Sequence, residues 1–537
     1  MPLRYFGIFL AYGPTVDLRK EGLGRLLGAF LKAASTKEGV RFVIACPEWL
    51  RSNFLAFCEG EQIPANAFDI VTTDSVPLIV RLYLWLLNRK RARPAKRRME
   101  RLHEWVQRVG VQHRRRAERS LVSARTIFPW LGISLYAAII GIVLLPLAFV
   151  GWLAKVSYRV LRRIAKGVVP SLGGLFGGAF AMVHETGEEG LEVRLYRLLE
   201  ETETQRLVKK IDTLRHVKAW LSPTAFWPEF NQIAAPTLLC VPDMLLTEFP
   251  VGFAREPEVF GNFQNVERAI RGAQSFVTYS TRIKWNTLVE RDAVPPDDVT
   301  VVRHACWDLS PAITVKGFSQ GDRATRAYCE SLFQQALGRL GADDYVQGLH
   351  AGALKFLFYP SQFRPNKNVL LLIEAYEHLL RERFIQHKLI LTGDPRRFPQ
   401  VSDLVRERGL GRDVIFLHGL TAAELAACYH LADLAINPSL SEGGCPFTFT
   451  EALSVDTPVV MARIPVTEEV LSDPGLQEMM LFDPYDYKAA SSRIEWALKN
   501  RETLLSAQRE AYANLRQRGW GDVVDEYVVI LDGLCQD

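Results

Sequence analysis

Short apolar runs alternate with amphipathic stretches in three separate parts of this 537-residue chain, and this alternation constrains the fold more than any other feature. Residues 4–75 follow the order strand, helix, strand, helix, strand, which is typical of the beginning of a parallel sheet. The same order resumes over residues 213–308 and begins again after residue 350. The pattern therefore predicts an α/β fold with two Rossmann-like domains, whose ligands bind at the carboxyl ends of the strands.

The interruptions of this pattern give the predicted domain boundaries. Residues 1–75 and 213–308 form the N-terminal domain, and residues 76–212 are an insertion within it. Residues 309–350 are a linker with a helix, residues 351–518 form the C-terminal domain, and residues 519–537 follow it. A chain of this length exceeds one hydrophobic core, so two or three domains are expected. The predicted strands of the C-terminal domain are Lys355–Tyr359, Lys388–Thr392, Val414–Leu417, Leu434–Asn437, Val459–Ala462 and Met479–Phe482.

The insertion is basic and contains a long apolar run. Between Arg89 and Lys166 there are 19 Lys and Arg residues against three Glu, a balance of +16, so the net charge of +5 leaves −11 for the other residues. Thr126–Ala154 contains 29 residues without a charge, which exceeds the roughly 20 that span a bilayer core as a helix. The basic flanks favour an anionic membrane surface as a partner. A buried core helix is the alternative.

The insertion must enter and leave any membrane on one side, because the strands before and after it join one sheet. A single crossing is therefore impossible, while a hairpin, a re-entrant pair and an interfacial helix all stay open. No nucleic-acid partner is expected for the basic cluster Arg89–Arg119, because no aromatic platform interleaves it. The expected location is the cytoplasmic face of the inner or plasma membrane. Eight cysteines without paired spacing fit a reducing compartment.

A glycine-rich turn between a strand and a helix marks a candidate anion site. Gly443 and Gly444 allow the backbone to approach a ligand closely. The first N–H groups of the predicted helix Phe447–Leu453 point back towards this turn. Two carboxylates, Glu442 and Glu451, flank it, and they suit the hydroxyls of a sugar or ribose, while the N–H groups suit phosphate. An ordinary strand–turn–helix of an α/β domain is the alternative.

Two basic side chains follow the first strand of the C-terminal domain. Arg364 and Lys367 lie in the loop between Tyr359 and the predicted helix Val369–Arg383. They are close enough in sequence to hold one diphosphate, with bidentate geometry from the arginine and a point charge from the lysine. A solvated loop is the alternative for this pair.

With these residues together, the C-terminal domain resembles the retaining, nucleotide-sugar-dependent glycosyltransferases of family 4, of the group 1 type, which have the GT-B fold of two facing Rossmann-like domains. Three blocks match in order, namely Ser361–Asn368, Phe416–Gly419 with Glu424, and Pro438–Gly444 with Glu451. Gly22–Arg25 resembles the loop that faces the donor, and Gly519–Trp520 resembles the start of the segment that crosses back to the first domain. Eight residues separate the two glutamates, where the family usually has seven.

The resemblance implies a role for each matching residue. Glu442 would contact the hydroxyls of the donor sugar, and Glu451 would hold those of the ribose. Arg364 and Lys367 would neutralise the charge that develops on the leaving diphosphate, so neither a metal ion nor a cofactor is expected. Four glycines complete the implied donor site: Gly24, Gly419, Gly443 and Gly444.

The implied reaction moves a hexose, such as mannose, from a nucleotide-diphosphate sugar to a lipid-linked oligosaccharide or surface-polysaccharide acceptor. The insertion would hold this enzyme at the membrane, where such acceptors are found. Two other functions stay open. A sugar-nucleotide epimerase on the same fold would need a side-chain base, and a non-catalytic membrane scaffold is suggested by the unusual spacing of the glutamates.

Overall fold

The computed structural model describes residues 3–85 except 21, 65, 79, 82 and 83, residues 191–249, residues 259–340 except 319, residue 345 and residues 348–535. The predicted membrane segment, which is the apolar run Thr126–Ala154, lies outside these residues, and so does the basic cluster Arg89–Arg119. Within the described residues, no helix is long and apolar enough to cross a bilayer. The chain divides into one compact unit of Met1–Ser75 with Glu203–Asp537 and a second unit of Val76–Thr202.

The N-terminal domain is built on a parallel sheet whose seven described strands have the order β3-β2-β1-β4-β5-β6-β7. The strands are β1 Arg4–Phe9, β2 Val40–Cys46, β3 Asp69–Thr72, β4 Val217–Ser222, β5 Thr237–Cys240, β6 Phe276–Thr278 and β7 Val299–Val301. Helices cover both faces of a parallel sheet, so an inner strand such as β2 is apolar over Phe42–Cys46 rather than alternating. Strand β1 pairs with both β2 and β4, which places the chain on either side of the insertion in one sheet.

The helices described in this part of the chain are α1 Gly22–Ala34, α2 Glu48–Gly60, α3 Leu191–Ile211, α4 Leu245–Glu248 and α5 Val259–Gly272. The end of α3 belongs to the domain core, because Leu207, Val208 and Ile211 are buried with Phe9 and Trp220. The N-terminal domain therefore resumes at Glu203, and not at the predicted residue 213.

The C-terminal domain contains a second parallel sheet, whose six described strands have the order β10-β9-β8-β11-β12-β13. They are β8 Phe356–Tyr359, β9 Lys388–Leu391, β10 Val414–Phe416, β11 Leu434–Asn437, β12 Val459–Ala462 and β13 Leu481–Phe482. All six predicted strands are present, and their ends differ from the prediction by two residues at most. Strands β8 and β11 are neighbours, so the loops that follow them open side by side at the carboxyl edge of the sheet.

The helices of the C-terminal domain include most of the predicted linker. They are α6 Gly321–Gly338, α7 Val369–Glu382, α8 Pro399–Glu407, α9 Ala422–Leu431, α10 Phe447–Ser454, α11 Pro465–Val470, α12 Pro474–Met480, α13 Tyr487–Lys499 and α14 Arg501–Leu515. Helix α6 lies in the segment predicted as a linker, yet Cys329, Phe333 and Ala336 are buried in the C-terminal core. The ring of Phe333 lies 5.1 Å from that of Phe356 on β8. This helix is therefore part of the C-terminal domain.

The last helix, α15 Trp520–Gly533, packs on the N-terminal domain. The ring of Tyr527 lies 5.3 Å from that of Phe30 on α1, and Lys37 forms a 2.6 Å ion pair with Asp525. The chain thus returns to its first domain after it completes the second.

Candidate functional site

An ion pair between Lys367 and Glu442 lies at the carboxyl edge of the second sheet. The Nζ of Lys367 donates to Oε1 of Glu442 over 2.6 Å, and about a fifth of each side chain is exposed. Lys367 follows β8 and Glu442 follows β11, and these strands are neighbours. The structure therefore brings together two of the residues that the sequence singled out.

Backbone contacts hold the two loops that carry this ion pair. The N–H of Leu440 donates to the carbonyl of Asn366 over 2.8 Å, and the side-chain amide of Asn366 donates to the carbonyl of Ser441 over 3.4 Å. Asn368 adopts φ +51°, in the left-handed region that asparagine tolerates, and this turn begins α7. Lys367 thus ends a short 3₁₀ turn, Pro365–Lys367, directly before the residue that begins the helix.

The charges at this edge of the sheet are mutually dependent. Burial disfavours the charged amine of Lys367, but the Glu442 carboxylate outweighs this, so the pKa of Lys367 is raised. Arg364 is exposed in the same loop. Its positive charge opposes the rise in the pKa of Lys367 and acts on Asp243 of the other domain. Two cations and a carboxylate at the ends of β8 and β11 can hold a ligand that carries both phosphate and hydroxyl groups.

The Gly443–Gly444 turn lies directly against the N-terminal domain. A Cβ atom at Gly443 would lie 1.9 Å from the carbonyl oxygen of Pro242, and one at Gly444 would lie 2.9 Å from Cβ of Tyr279 and 3.0 Å from Nε2 of His304. The sequence predicted that these glycines let a ligand approach the backbone. In the structure they let the two domains approach each other.

Asp243 adds a carboxylate from the N-terminal domain to this site. It follows β5, and its Cβ lies 3.3 Å from the Cβ position of Gly443. Burial raises the pKa of Asp243, while the N–H of Leu245 and the charges of Lys367 and Arg364 oppose that rise. The sequence alone gave Asp243 no role, because this residue reaches the site from the other domain.

Glu451 is buried at the interface between the domains and is bonded through both carboxylate oxygens. Arg25 on α1 pairs with Oε1, and the hydroxyl of Tyr429 on α9 donates to Oε2 over 2.9 Å. Only 4% of the Glu451 side chain is exposed. The guanidinium of Arg25 also lies over two aromatic rings, 4.7 Å from the centre of Trp307 and 5.3 Å from that of Phe447.

His304 completes an aromatic cluster beside the glycine turn. Its ring packs against Tyr279, Phe447 and Trp520, with centroid distances of 5.7, 5.0 and 6.4 Å. Burial in this cluster lowers the pKa of His304 to about 4, so the imidazole is neutral at pH 7. A single histidine after a short strand gave no signal in the sequence, because its partners come from three distant segments.

At the two remaining predicted glycines, the local structure itself requires a residue without a side chain. A Cβ at Gly24 would lie 1.8 Å from the carbonyl oxygen of Leu18, so the start of α1 packs against the turn before it. Gly419 follows β10 with φ +72°, in the region that favours glycine. Glycine therefore has a steric reason at position 24 and a conformational reason at position 419, and neither reason involves a ligand.

Part of this chain matches a known protein family. Residues 345–515, which contain Lys367, Glu442 and Glu451, match the family model described as glycosyl transferases group 1. The lipopolysaccharide 1,2-N-acetylglucosaminetransferase of Salmonella typhimurium is 26% identical over 182 residues, which are 32% of this chain and 46% of that protein. The O-antigen chain mannosyltransferase B of Escherichia coli is 30% identical over 167 residues, 31% of this chain and 42% of that protein.

A solved structure shares the two-domain fold. The crystal structure of Anabaena HepE in complex with UDP-glucose aligns with a TM-score of 0.53 at 12% identity, and the alignment covers 98% of this chain and 99% of that one. At this identity the likeness concerns the fold alone. The chain spans less than half the length of the two curated relatives described above.

Proposed function

We propose that this chain, whose residues 345–515 belong to the glycosyl transferases group 1 family, is a glycosyltransferase that uses a nucleotide-diphosphate sugar. The observation that carries the proposal is the 2.6 Å pair of Lys367 and Glu442 at the carboxyl edge of the second sheet, inside the segment that matches the family. This is where ligands of such sheets bind.

The two groups of the ion pair suit the two parts of such a donor. The ammonium of Lys367 and the guanidinium of Arg364 neutralise the charge that develops on the leaving diphosphate, which is where electrostatic stabilisation lowers a barrier most. The carboxylate of Glu442 accepts hydrogen bonds from the hydroxyls of the sugar. Because two cations are already present, the reaction needs no divalent metal ion.

We infer a retaining transfer. The hydroxyl of the acceptor forms the new bond to the anomeric carbon on the face from which the diphosphate leaves. The bond between that carbon and the phosphate oxygen breaks, and the proton of the hydroxyl passes to the departing diphosphate. This route requires no strong side-chain nucleophile, and it leaves Glu442 free to position the sugar.

The proposed transferred group is a hexose such as mannose, and the proposed acceptor is a lipid-linked oligosaccharide or a surface polysaccharide. The names of the relatives favour this class, because one is a mannosyltransferase of an O-antigen chain and the other acts on lipopolysaccharide. The sequence of the insertion, with 29 uncharged residues between basic flanks, supports a location at the cytoplasmic face of the inner or plasma membrane.

Two substitutions test the role of the ion pair. We expect Lys367→Ala and Glu442→Gln each to reduce transfer at least about 100-fold, the order found when one charge-stabilising contact is removed. The assay follows sugar transfer from UDP- and GDP-hexoses to a polyprenyl-diphosphate acceptor in detergent. Lys388→Ala is a matched control, because Lys388 forms a 2.6 Å pair with Asp413 of similar exposure at the start of β9, on the opposite edge of the sheet.

The same assay separates the alternatives. Near-normal transfer by a folded Lys367→Ala protein would contradict the assigned role. A free epimer among the products would identify an epimerase, and nucleotide binding without any turnover would identify a scaffold. Loss of activity in the control as well would mean that the substitutions act through stability alone.

A further inference from the structure

Arg25, a cation of the N-terminal domain, pairs with Glu451, the residue implied to hold the donor ribose. Arg25 lies on α1, and Glu451 lies on α10, 426 residues later. Their ion pair crosses the interface between the domains, and the stacking of Arg25 on Trp307 and Phe447 fixes the guanidinium there. Nothing in the proposed roles of the C-terminal residues accounts for this cation.

A carboxylate in this environment needs a positive partner. Only 4% of the Glu451 side chain is exposed, and a buried charge without a partner is costly. Two vicinal ribose hydroxyls need acceptors, which the oxygens of a carboxylate supply. Arg25 supplies the compensating charge from the other domain.

The geometry leaves acceptor capacity for a ligand. An ionised carboxylate has about four lone-pair positions, and Arg25 and Tyr429 each use one, on different oxygens. One position therefore remains on each oxygen, which matches the two adjacent hydroxyls of a ribose. Burial raises the pKa of Tyr429 well above its ordinary value, so its hydroxyl remains a donor throughout the neutral range.

We propose that Arg25 is a positioning residue for the donor nucleotide: it holds the Glu451 carboxylate in the orientation that accepts the ribose hydroxyls, so that ribose recognition is complete only when the two domains are closed. This inference rests on the proposed function, because it takes Glu451 as the residue that holds the donor ribose, the role that the family resemblance implies. With so little of Glu451 exposed, the nucleotide enters while the domains are apart, and Arg25 returns with its own domain on closure.

The test measures the affinity of UDP, GDP and ADP and of their 2′,3′-dideoxy counterparts by calorimetry. In the wild-type protein, loss of the ribose hydroxyls should weaken binding of the preferred nucleotide at least about tenfold, because hydrogen bonds to charged groups are the strong ones. Arg25→Met should weaken binding of the normal nucleotide about 30-fold at pH 6.5. It should also reduce the discrimination against the dideoxy form to less than about threefold.

Rescue by a conservative variant supplies a readout that a purely structural role would not change. Arg25→Lys keeps the positive charge opposite Glu451 and should retain most of the ribose discrimination, whereas Arg25→Met removes the charge and should lose it. Because both variants disturb the packing of the guanidinium on Trp307 and Phe447, the difference between them reports the charge.

A matched control distinguishes this effect from a general loosening of the interface. Arg303 pairs with Glu469 over 3.2 Å, also across the two domains, and Arg303→Met should leave ribose discrimination unchanged. Tighter nucleotide binding by Arg25→Met would mean that Arg25 competes with the ribose, and would overturn the inference. Full discrimination by Arg25→Met would overturn it as well. A wild-type protein that binds none of the three diphosphates would contradict the proposed function itself.

Discussion

Substitution of Gly443 by alanine tests whether the approach of the two domains sets the activity. The added Cβ would lie 1.9 Å from the carbonyl oxygen of Pro242, whereas ordinary contacts begin near 3.4 Å. The difference, 3.4 − 1.9, is about 1.5 Å. The obstructing atom belongs to the backbone just after β5, so no side-chain rotation relieves the overlap, and the domains must move apart.

The expected effect follows from where this displacement acts. Gly443 is adjacent to Glu442, and Asp243 lies on the other side of the contact. A displacement of about 1 Å at reacting groups reduces rates on the order of 100-fold, so kcat/KM should fall by about that factor, mainly through kcat. The hydrophobic cores of both domains are untouched, so the melting temperature should change little.

Steady-state kinetics and a thermal melt of the same preparation measure the two effects. Gly338→Ala is the control, because that glycine ends α6 and a Cβ there meets no atom within 4 Å; it should leave both quantities unchanged. Normal kcat/KM in a folded Gly443→Ala protein would refute the reasoning, because the turn would then relax without separating the domains. A large fall in melting temperature would also refute it, since the contact would then belong to the cores.

Three further outcomes are expected. Transfer should survive EDTA, because Arg364 and Lys367 neutralise the leaving group, and complete loss that manganese or magnesium restores would show that a metal ion takes part. Wild-type protein should stay with membranes in a high-salt wash and be released by detergent, whereas replacement of residues 76–202 by a Gly/Ser linker should give a soluble protein that still binds nucleotide. Glu424→Gln should lower the free energy of unfolding by about 1–3 kcal/mol at pH 7, because the bidentate Arg339 partner lowers the pKa of Glu424. Since the folded-state pKa is below the ordinary 4.5, that stabilisation is present above pH 4.5 and is lost as the pH falls through the lowered value; chemical denaturation of wild type and variant at pH 7 and pH 3 measures the difference.

The sequence predicted the strands well because most of them are short apolar runs between turn residues. Leu434–Asn437 and Val459–Ala462 match the structure at both ends, since a proline or glycine-rich turn lies beside each run. The boundary predicted at the C-terminal end of the insertion, residue 213, was wrong. The apolar residues that return to the core, Leu207, Val208 and Ile211, lie in a helix in which half of the other residues are charged, so no composition change marks the boundary.

The sequence predicted those site residues that a local pattern marks, and it missed the contacts that join distant segments. Lys367 and Glu442 were both selected because each follows a buried strand of the same sheet, and neighbouring strands bring them together. The pair of Arg25 with Glu451 joins positions 426 residues apart in different domains. No local pattern encodes such a contact, and the same holds for the cluster of His304 with Tyr279, Phe447 and Trp520.

The return of α15 to the N-terminal domain has a consequence for the order in which the protein matures on the ribosome. The first domain is assembled from three pieces of chain: β1 to β3, the segment from Glu203 to β7, and α15. The C-terminal domain is continuous from α6 to α14, so it is complete before the last piece of the first domain emerges. The first domain therefore receives its last helix only after the C-terminal domain is complete, which departs from the usual vectorial order in which the N-terminal domain folds first. During synthesis, the part of α1 around Phe30 that packs on Tyr527 stays uncovered until α15 has emerged.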